Sequence, residues 1–353
     1  MKSRLLILLA SVAMIGAIAL TLTGCKKKSS TGPAGPVKVN AWAVGNQDST
    51  TYGTILYTAD GGETWVRQGL GSAALKGIDV ENLYVVNASE VYAVCTQNII
   101  IKTTDGGQTW TRLTTPVNPA NPNLSSISSA DNNTFWISGE HGVVYKYNIN
   151  SGFSTPLFDT NFFHSGLMQG IHAITQDIIY VVGSYGNYPD IRGFIAFTRD
   201  AGTSWDTIAP PDADNTWAWI GVKATSTENI IIHGTRAHYI YSQDNGSTWH
   251  KDSITVAGDA DINCIVMVTN SIYWGAGDYA IYKTSNGGIS WRTQTNFGQY
   301  QLGIDALDTL SALCVWGDPM SSIGKIQKTS DGGNTWTVKL ALNSRLQKVS
   351  YAH

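Results

Sequence analysis

The chain is short of cysteine and arginine, and of apolar runs beyond its first residues. It has four cysteines in 353 residues, Cys25, Cys95, Cys264 and Cys314. The last three sit in separate apolar, strand-like runs. An odd number spread this way argues against a disulfide framework, so buried free thiols are expected. No C-x-x-C, C-x-x-C-H or H-E-x-x-H spacing occurs, which removes sequence support for haem attachment and for zinc; no cofactor and no metal is expected. Lys26–Lys28 is the one basic run, and aromatic and basic residues do not interleave elsewhere. Nucleic acid is therefore not an expected partner. No second apolar segment follows the first, so the rest of the chain is expected to be soluble.

The first residues carry an address. Lys2 and Arg4 precede the apolar stretch Leu5–Leu20, and Leu22-Thr23-Gly24-Cys25 follows. A basic start, an apolar middle and a small-residue exit describe a secretory signal over residues 1–24. The L-T-G-C run resembles the bacterial lipobox. That resemblance implies cleavage before Cys25 and acylation of Cys25, with several acyl chains giving stable anchoring. Lys26–Lys28 would then meet anionic headgroups, and Ser29–Pro36 reads as a flexible tether, making 25–36 the anchor segment. The expected location is an extracytoplasmic membrane surface, on the periplasmic side or the cell surface. Removing residues 1–24, which hold two basic and no acidic residues, leaves 21 basic against 26 acidic residues, a net charge of −5.

What the chain has in abundance is a repeated phrase. It reads TADGGETW ending at Trp65, TTDGGQTW at Trp110, TRDAGTSW at Trp205, SQDNGSTW at Trp249, TSNGGISW at Trp291 and TSDGGNTW at Trp336. The steps between tryptophans are 45, 95, 44, 42 and 45. The long step is about two periods, and NINSGFST at 148–155 fits as a worn copy between. A period in the forties repeated seven times predicts an all-β, seven-bladed propeller of four-stranded antiparallel blades over residues 37–353.

Within the phrase, Asp60 is placed to accept backbone N–H bonds in an Asx-type turn. Gly62 supplies a positive φ, and Trp65 buries its ring under the hairpin. The same roles are expected of Asp105, Gly107 and Trp110; Asp200, Gly202 and Trp205; Asp244, Gly246 and Trp249; and Asp331, Gly333 and Trp336. Asn286, with Gly288 and Trp291, replaces the acid but keeps an acceptor. Asn150 replaces it in the worn copy, which has no Trp and should be the least well stapled. Gly45, Gly139, Gly183, Gly234, Gly275 and Gly317 follow the second strands and fit tight packing near a crowded axis. VNAWAVG reads as a second strand without a first. LQKVSYAH at the other end reads as that first strand, so Leu346–His353 is expected to close the ring and remove its free edges.

These residues carry a resemblance: the phrase is the Asp-box, or BNR, repeat, and the chain is similar to that family over nearly its whole length after residue 24. The repeat turns should lie on one face, as structural staples. The loops between second and third strands lie on the other, and in blades 1, 4 and 7 they are longer (NQDSTTYG, SYGNYPDIRG, GDPMSSIG). Function tends to ride on such loops. The candidate binding face comprises His141, Tyr185, Tyr188, Asp190, Arg192, Arg236, His238, Asp278 and Asp318. Glu140, Tyr279 and the linkers holding Phe162, Phe163, His164, Asp212, Asp214 and Trp217 join them.

Seven arginines remain after residue 24, and Arg192 and Arg236 alone fall on that face. A sialidase needs an arginine triad, and its F/Y-R-I-P motif is absent. A single seven-bladed ring with D-G-G-x-T-W phrases and a lipobox is similar to the photosystem II stability and assembly factor family. The resemblance implies a lipid-anchored assembly chaperone without catalysis. The reading is a monomeric, membrane-anchored propeller that binds an unknown protein partner or a surface glycan, with no catalytic residues assigned. The alternative is a carbohydrate-active enzyme or glycan-binding protein of the sialidase or xyloglucanase kind, with Asp278 and Asp318 as an acid–base pair.

Overall fold

A computed structural model describes residues 39–118, 120–154, 166–186, 190–209, 218–296, 298–318, 320 and 322–353. Cys25 and the tether, Tyr188, and the linker residues Phe162, Phe163, His164, Asp212, Asp214 and Trp217 lie outside them. The described chain folds into seven four-stranded antiparallel sheets, with only two single turns of 3-10 helix, Glu140–Gly142 and Thr255–Ala257.

Six blades run in simple sequence order, and blade 1 does not. Its order is Leu346–Tyr351, Ala41–Gln47, Gly53–Thr58, Val66–Arg67. The last strand pairs antiparallel with the first, with Ala41 opposite Tyr351 and Ala43 opposite Val349. The ring is therefore closed by the C-terminal strand, which supplies the ladder that blade 1 would otherwise lack.

The core is divided among the blade interfaces. Trp42, Val44 and Ile55 of blade 1 pack on Leu83, Val91 and Ala93 of blade 2. Tyr92 and Ile100 meet Leu124 and Phe135 at the next interface, and the pattern continues round to Leu313 and Ile326 against Ala41 and Val349. Second strands such as Val91–Cys95 and Ala312–Gly317 are buried along their whole length, being covered on both faces.

The repeat turns show why the phrase has its composition. Thr58 Oγ1 donates to Asp60 Oδ1 at 2.7 Å and accepts from the Gly62 N–H at 3.0 Å. Asp60 also accepts the N–H groups of Glu63 and Thr64, both at 3.0 Å, and the Thr64 hydroxyl at 2.6 Å. The hydroxyl at the head of the phrase thus completes the turn, a role additional to those read from sequence. Asn286 keeps the Ser290 N–H at 2.9 Å and donates its amide to the Ser290 hydroxyl. The glycine φ values run from 74° at Gly246 to 95° at Gly288.

Three expectations need correction. Asn150 is not the acceptor of the worn copy: Asn148 Oδ1 takes the N–H groups of Asn150 and Ser151, and the fourth strand already begins at Gly152. This is a short tight turn, not an Asp-box. The repeat tryptophans are not confined to their own hairpins: Trp65 and Trp249 do donate to Gly62 O and Gly246 O of their own turns at 3.1 Å, but the rings also pack on the preceding blade. Trp205 meets Trp136, Trp249 meets Tyr180, Trp291 meets Tyr239 and Trp336 meets Trp274, all at 5.9–6.2 Å between centroids. Finally, the glycines after the second strands answer a register shift, not the axis. Each inner strand carries one extra residue near its start, for example between Val80 and Asn82, Trp219 and Gly221, and Ile262 and Cys264. Such a bulge pushes the inner backbone toward the paired strand. A Cβ on Gly45, Gly139 or Gly234 would run into the carbonyl of Arg345, Asn123 or Ala218. In blade 6 the glycine that meets this demand is Gly277, facing Asp261, and not Gly275.

Candidate functional site

The Asp-box turns bond to the hairpins that join first and second strands, as in Gly106 N–H to Ser89 O at 2.9 Å and Gly332 N–H to Leu310 O at 2.9 Å. That places them on one face. The loops between second and third strands occupy the other, together with the entrances to the inner strands.

On that loop face the structure joins residues of blades 5, 6 and 7. Arg236 takes a positive φ of 54°, and its N–H donates to Asp261 Oδ1 at 3.0 Å. Asn263 donates to Asp278 Oδ1 at 3.1 Å and to Gln301 O at 3.1 Å. Burial raises the Asp278 carboxyl above its ordinary range, with Asp261 adding to the effect. The rings of Tyr279 and Tyr300 lie 5.5 Å apart. The Tyr300 hydroxyl is raised chiefly by its bond to Tyr279, with Asp278 and Asp318 adding the smallest shares. Asp318 accepts the Met320 N–H at 2.8 Å and donates its own N–H to Ile323 O. His238 opens the third strand of blade 5, and burial lowers its imidazole. The result is an arc of two tyrosines, three carboxylates and an arginine.

The remaining predicted residues lie on blades 3 and 4. His141 is exposed in the Glu140–Gly142 turn at φ 58°, and Glu140 is spent on the Asn123 N–H (3.0 Å) and side chain (3.2 Å). Tyr185 ends its strand opposite Arg192 and meets Phe194 edge-on at 6.4 Å. Asp190 is exposed in the loop between them. Among the described residues, His141, Asp190 and Arg192 make no hydrogen bond or ion pair with one another.

The six repeat turns, the closing strand and the seven sheets decide the class. The chain is an Asp-box β-propeller. Residues 38–156 match the family model for the photosynthesis system II assembly factor YCF48, and residues 240–251 match the BNR/Asp-box repeat. No curated protein matches the sequence. Among solved structures the propeller is similar to YCF48 from Cyanidioschyzon merolae, at 16% identity and a TM-score of 0.58, over 85% of this chain and 98% of that one. It is similar to YCF48 bound to D1 peptide, at 16% identity and 0.56, over 73% and 80%. A third likeness is the GH74 xyloglucanase from Xanthomonas campestris, at 12% identity and 0.55, over 84% of this chain and 58% of that one.

The propeller also has a site that the sequence reading missed. All seven inner strands line a central cavity of about 880 Å³. Its wall is polar: Glu81, Ser128, His172, Lys223, His233, Asp305 and Lys348 all face it. Glu81 is the extra residue of its bulge and stands by Asp79, Glu140 and Arg345. Burial first, then Asp79, pushes its carboxyl up to about 7. His172 and His233 are lowered by burial to about 3 and are neutral; His233 Nδ1 donates to Ile262 O at 2.8 Å. At the opposite end from Glu81, Asp305 Oδ2 accepts Tyr351 N–H at 2.8 Å, Ser350 Oγ at 3.1 Å and His353 Nε2 at 3.3 Å. The signal was present as alternation: Lys223 and Asp305 each follow an apolar residue, Val222 and Ile304, along an inner strand. Such alternation reads as an ordinary solvent-facing strand until the ring encloses it.

Proposed function

We propose that this propeller is a protein-binding scaffold, or assembly factor, held at a membrane surface by lipid on Cys25. The observation that carries the reading is the arc of Arg236, Asp278, Tyr279, Tyr300 and Asp318 on the loop face. The exposed Tyr279 and the half-buried Tyr300 beside a few charged groups suit a peptide segment, because Tyr offers area and a polar tip at low entropic cost. The likeness to a YCF48 propeller solved with a D1 peptide supports a protein ligand. The lipobox-like run Leu22–Cys25 supports a location outside the cytoplasm, where Lys26–Lys28 would meet the headgroups.

The test is affinity capture from detergent-solubilised membranes of the source cells. Wild type is compared with an Arg236→Glu, Tyr279→Ala double variant of matched thermal stability. A protein retained by wild type and held about tenfold less by the variant supports the reading. Equal retention by both, or none by either, overturns it. A second reading, a glycan-directed face, is favoured by the raised carboxyl of Asp278, since a glycosidase acid needs such a shift. Oligosaccharide binding on a glycan array, lost in Asp278→Asn, would select it.

A further inference from the structure

The central cavity holds a pair of groups that neither the fold nor the loop face calls for. Lys348 Nζ, on the closing strand, lies 2.9 Å from Cys264 Sγ, on the inner strand of blade 6. The thiol's other polar neighbours are the carbonyls of Ile304 at 3.6 Å and Ile265 at 4.0 Å. Cys264 and Lys348 both line the cavity, and so does Lys223 of blade 5. No hydrogen bond or ion pair among the described residues engages the Lys223 ammonium. The other groups acting here are the neutral ring of His233, the Cys314 thiol, and Asp305, which acts on both lysines.

We propose that Cys264 is a modification site: a thiolate held by Lys348 and Lys223 and reached through the central cavity by small peroxides. Thiolates, not thiols, are the nucleophiles, and adjacent ammonium groups favour them. Burial works against ionising Cys264, and the two lysines outweigh it, holding the thiol below its ordinary value. The same contact raises Lys348 despite its burial. Cys95 and Cys314 are also buried, but burial pushes both far above the ordinary thiol. Cys314 Sγ faces the Gln301 side-chain carbonyl at 3.3 Å.

In the reaction, the Cys264 sulfur attacks one oxygen of hydrogen peroxide. An S–O bond forms and the O–O bond breaks. The sulfur loses two electrons and becomes a sulfenate, and the departing hydroxide takes up the remaining peroxide proton and leaves as water. Lys348 keeps its proton and pairs with the sulfenate in place of the thiolate.

The experiment treats the folded full chain with hydrogen peroxide and a sulfenic-acid trap, then maps adducts by peptide mass spectrometry. Cys25 is read on its own peptide and left out of the comparison. Cys264 should be trapped at least about tenfold faster than Cys95 and Cys314, the factor for one unit of thiol pKa. Lys348→Met should slow Cys264 trapping about tenfold near pH 7 and move the rise of its rate–pH profile to higher pH, because burial then pushes the thiol up with less to offset it. Lys223→Met should slow it less, and carries the test if Lys348→Met does not fold. Equal trapping of the three cysteines overturns the proposal. So does an unaltered rate–pH profile in the folded lysine variants.

Discussion

The indole of Trp336 meets that of Trp274 edge to face across the interface between blades 7 and 6, with centroids 5.9 Å apart. Trp274 is fully buried, Lys283 Nζ stands 3.9 Å over its ring, and the same ammonium donates to Gly332 O at 3.0 Å. The turn of one blade is thus docked on the third strand of the blade before it. Lys146 donates to Ala201 O, Tyr239 to Gly288 O and Gln68 to Gly106 O in the same manner. The Asp-box is an interlock between blades as much as a local turn.

Removing the indole should therefore loosen an interface rather than a loop. Trp336→Ala is expected to cost about 3 kcal/mol, at the low end for Trp→Ala because the ring is only partly buried. Urea unfolding followed by far-UV circular dichroism measures it. A loss below about 0.5 kcal/mol, the size of an ordinary surface substitution, would contradict the interlock.

The hydroxyl of Thr329 organises the last turn. It donates to Asp331 at 2.8 Å and accepts the Gly333 N–H at 3.0 Å, and it is buried. Thr329→Val keeps the shape and strands that N–H, so a loss of about 1–3 kcal/mol is expected. Asp331→Asn should be the milder change, because blade 6 already closes its turn with Asn286. The order of the two melting temperatures checks the assignment; the reverse order would refute it.

Deleting Leu346–His353 should abolish cooperative folding. Leu346, Val349 and Tyr351 are buried in the interface with blade 7. At about 1.5–3 kcal/mol each, their loss approaches the whole stability of a typical domain. At the end of that segment His353, with its partner Asp305 on the inner strand of blade 7, gives a pH signature. The carboxyl is lowered despite burial, its bond to His353 being the main favourable cause; that stability is present above pH 3.8 and lost as pH falls through the lowered value. The imidazole is raised by the same bond; its share is present below pH 6.5 and lost as pH rises through the raised value. The melting-temperature gap between wild type and His353→Gln should be widest between pH 3.8 and 6.5. A gap that does not vary with pH would remove the ion pair from the account.

Glu81 should make the propeller less stable as pH rises. Its carboxyl is raised from 4.5 to about 7, so the folded state holds a proton that the unfolded chain releases across that window. The cost above pH 7 is on the order of 3 kcal/mol at 1.36 kcal/mol per unit. Glu81→Gln removes it, and the variant should be the more stable protein at pH 8 and nearly equal to wild type at pH 4. Thermal melts at both values decide.

The blade count and the closing strand were legible because both rest on local chemistry. A turn that needs Thr58, Asp60, Gly62 and Trp65 within eight positions writes itself into the sequence each time it is used. Partners across blades leave no such record. Nothing near Trp336 in sequence names Trp274, and nothing near Cys264 names Lys348, because the contact depends on where the ring brings the strands. The bulge in each inner strand escaped notice for a related reason: it is a mismatch between two strands, not a property of either. The loop face was located through its long loops, but its connected arc runs through Asp261, Asn263 and Tyr300. Those three sit in linkers and strand starts of ordinary composition.

The pairing of Ala41 with Tyr351 joins positions at opposite ends of the folded unit. A chain emerging from the ribosome can build blades 2 to 7 as it lengthens, but blade 1 must wait for the final strand. Until then Ala41–Gln47 offers an open ladder to any neighbouring chain. Contacts of such long range also make folding slow. The vulnerable moment in the life of this protein is thus the interval between the synthesis of its first strand and the release of its last, when a chaperone able to cover one bare strand edge would matter most.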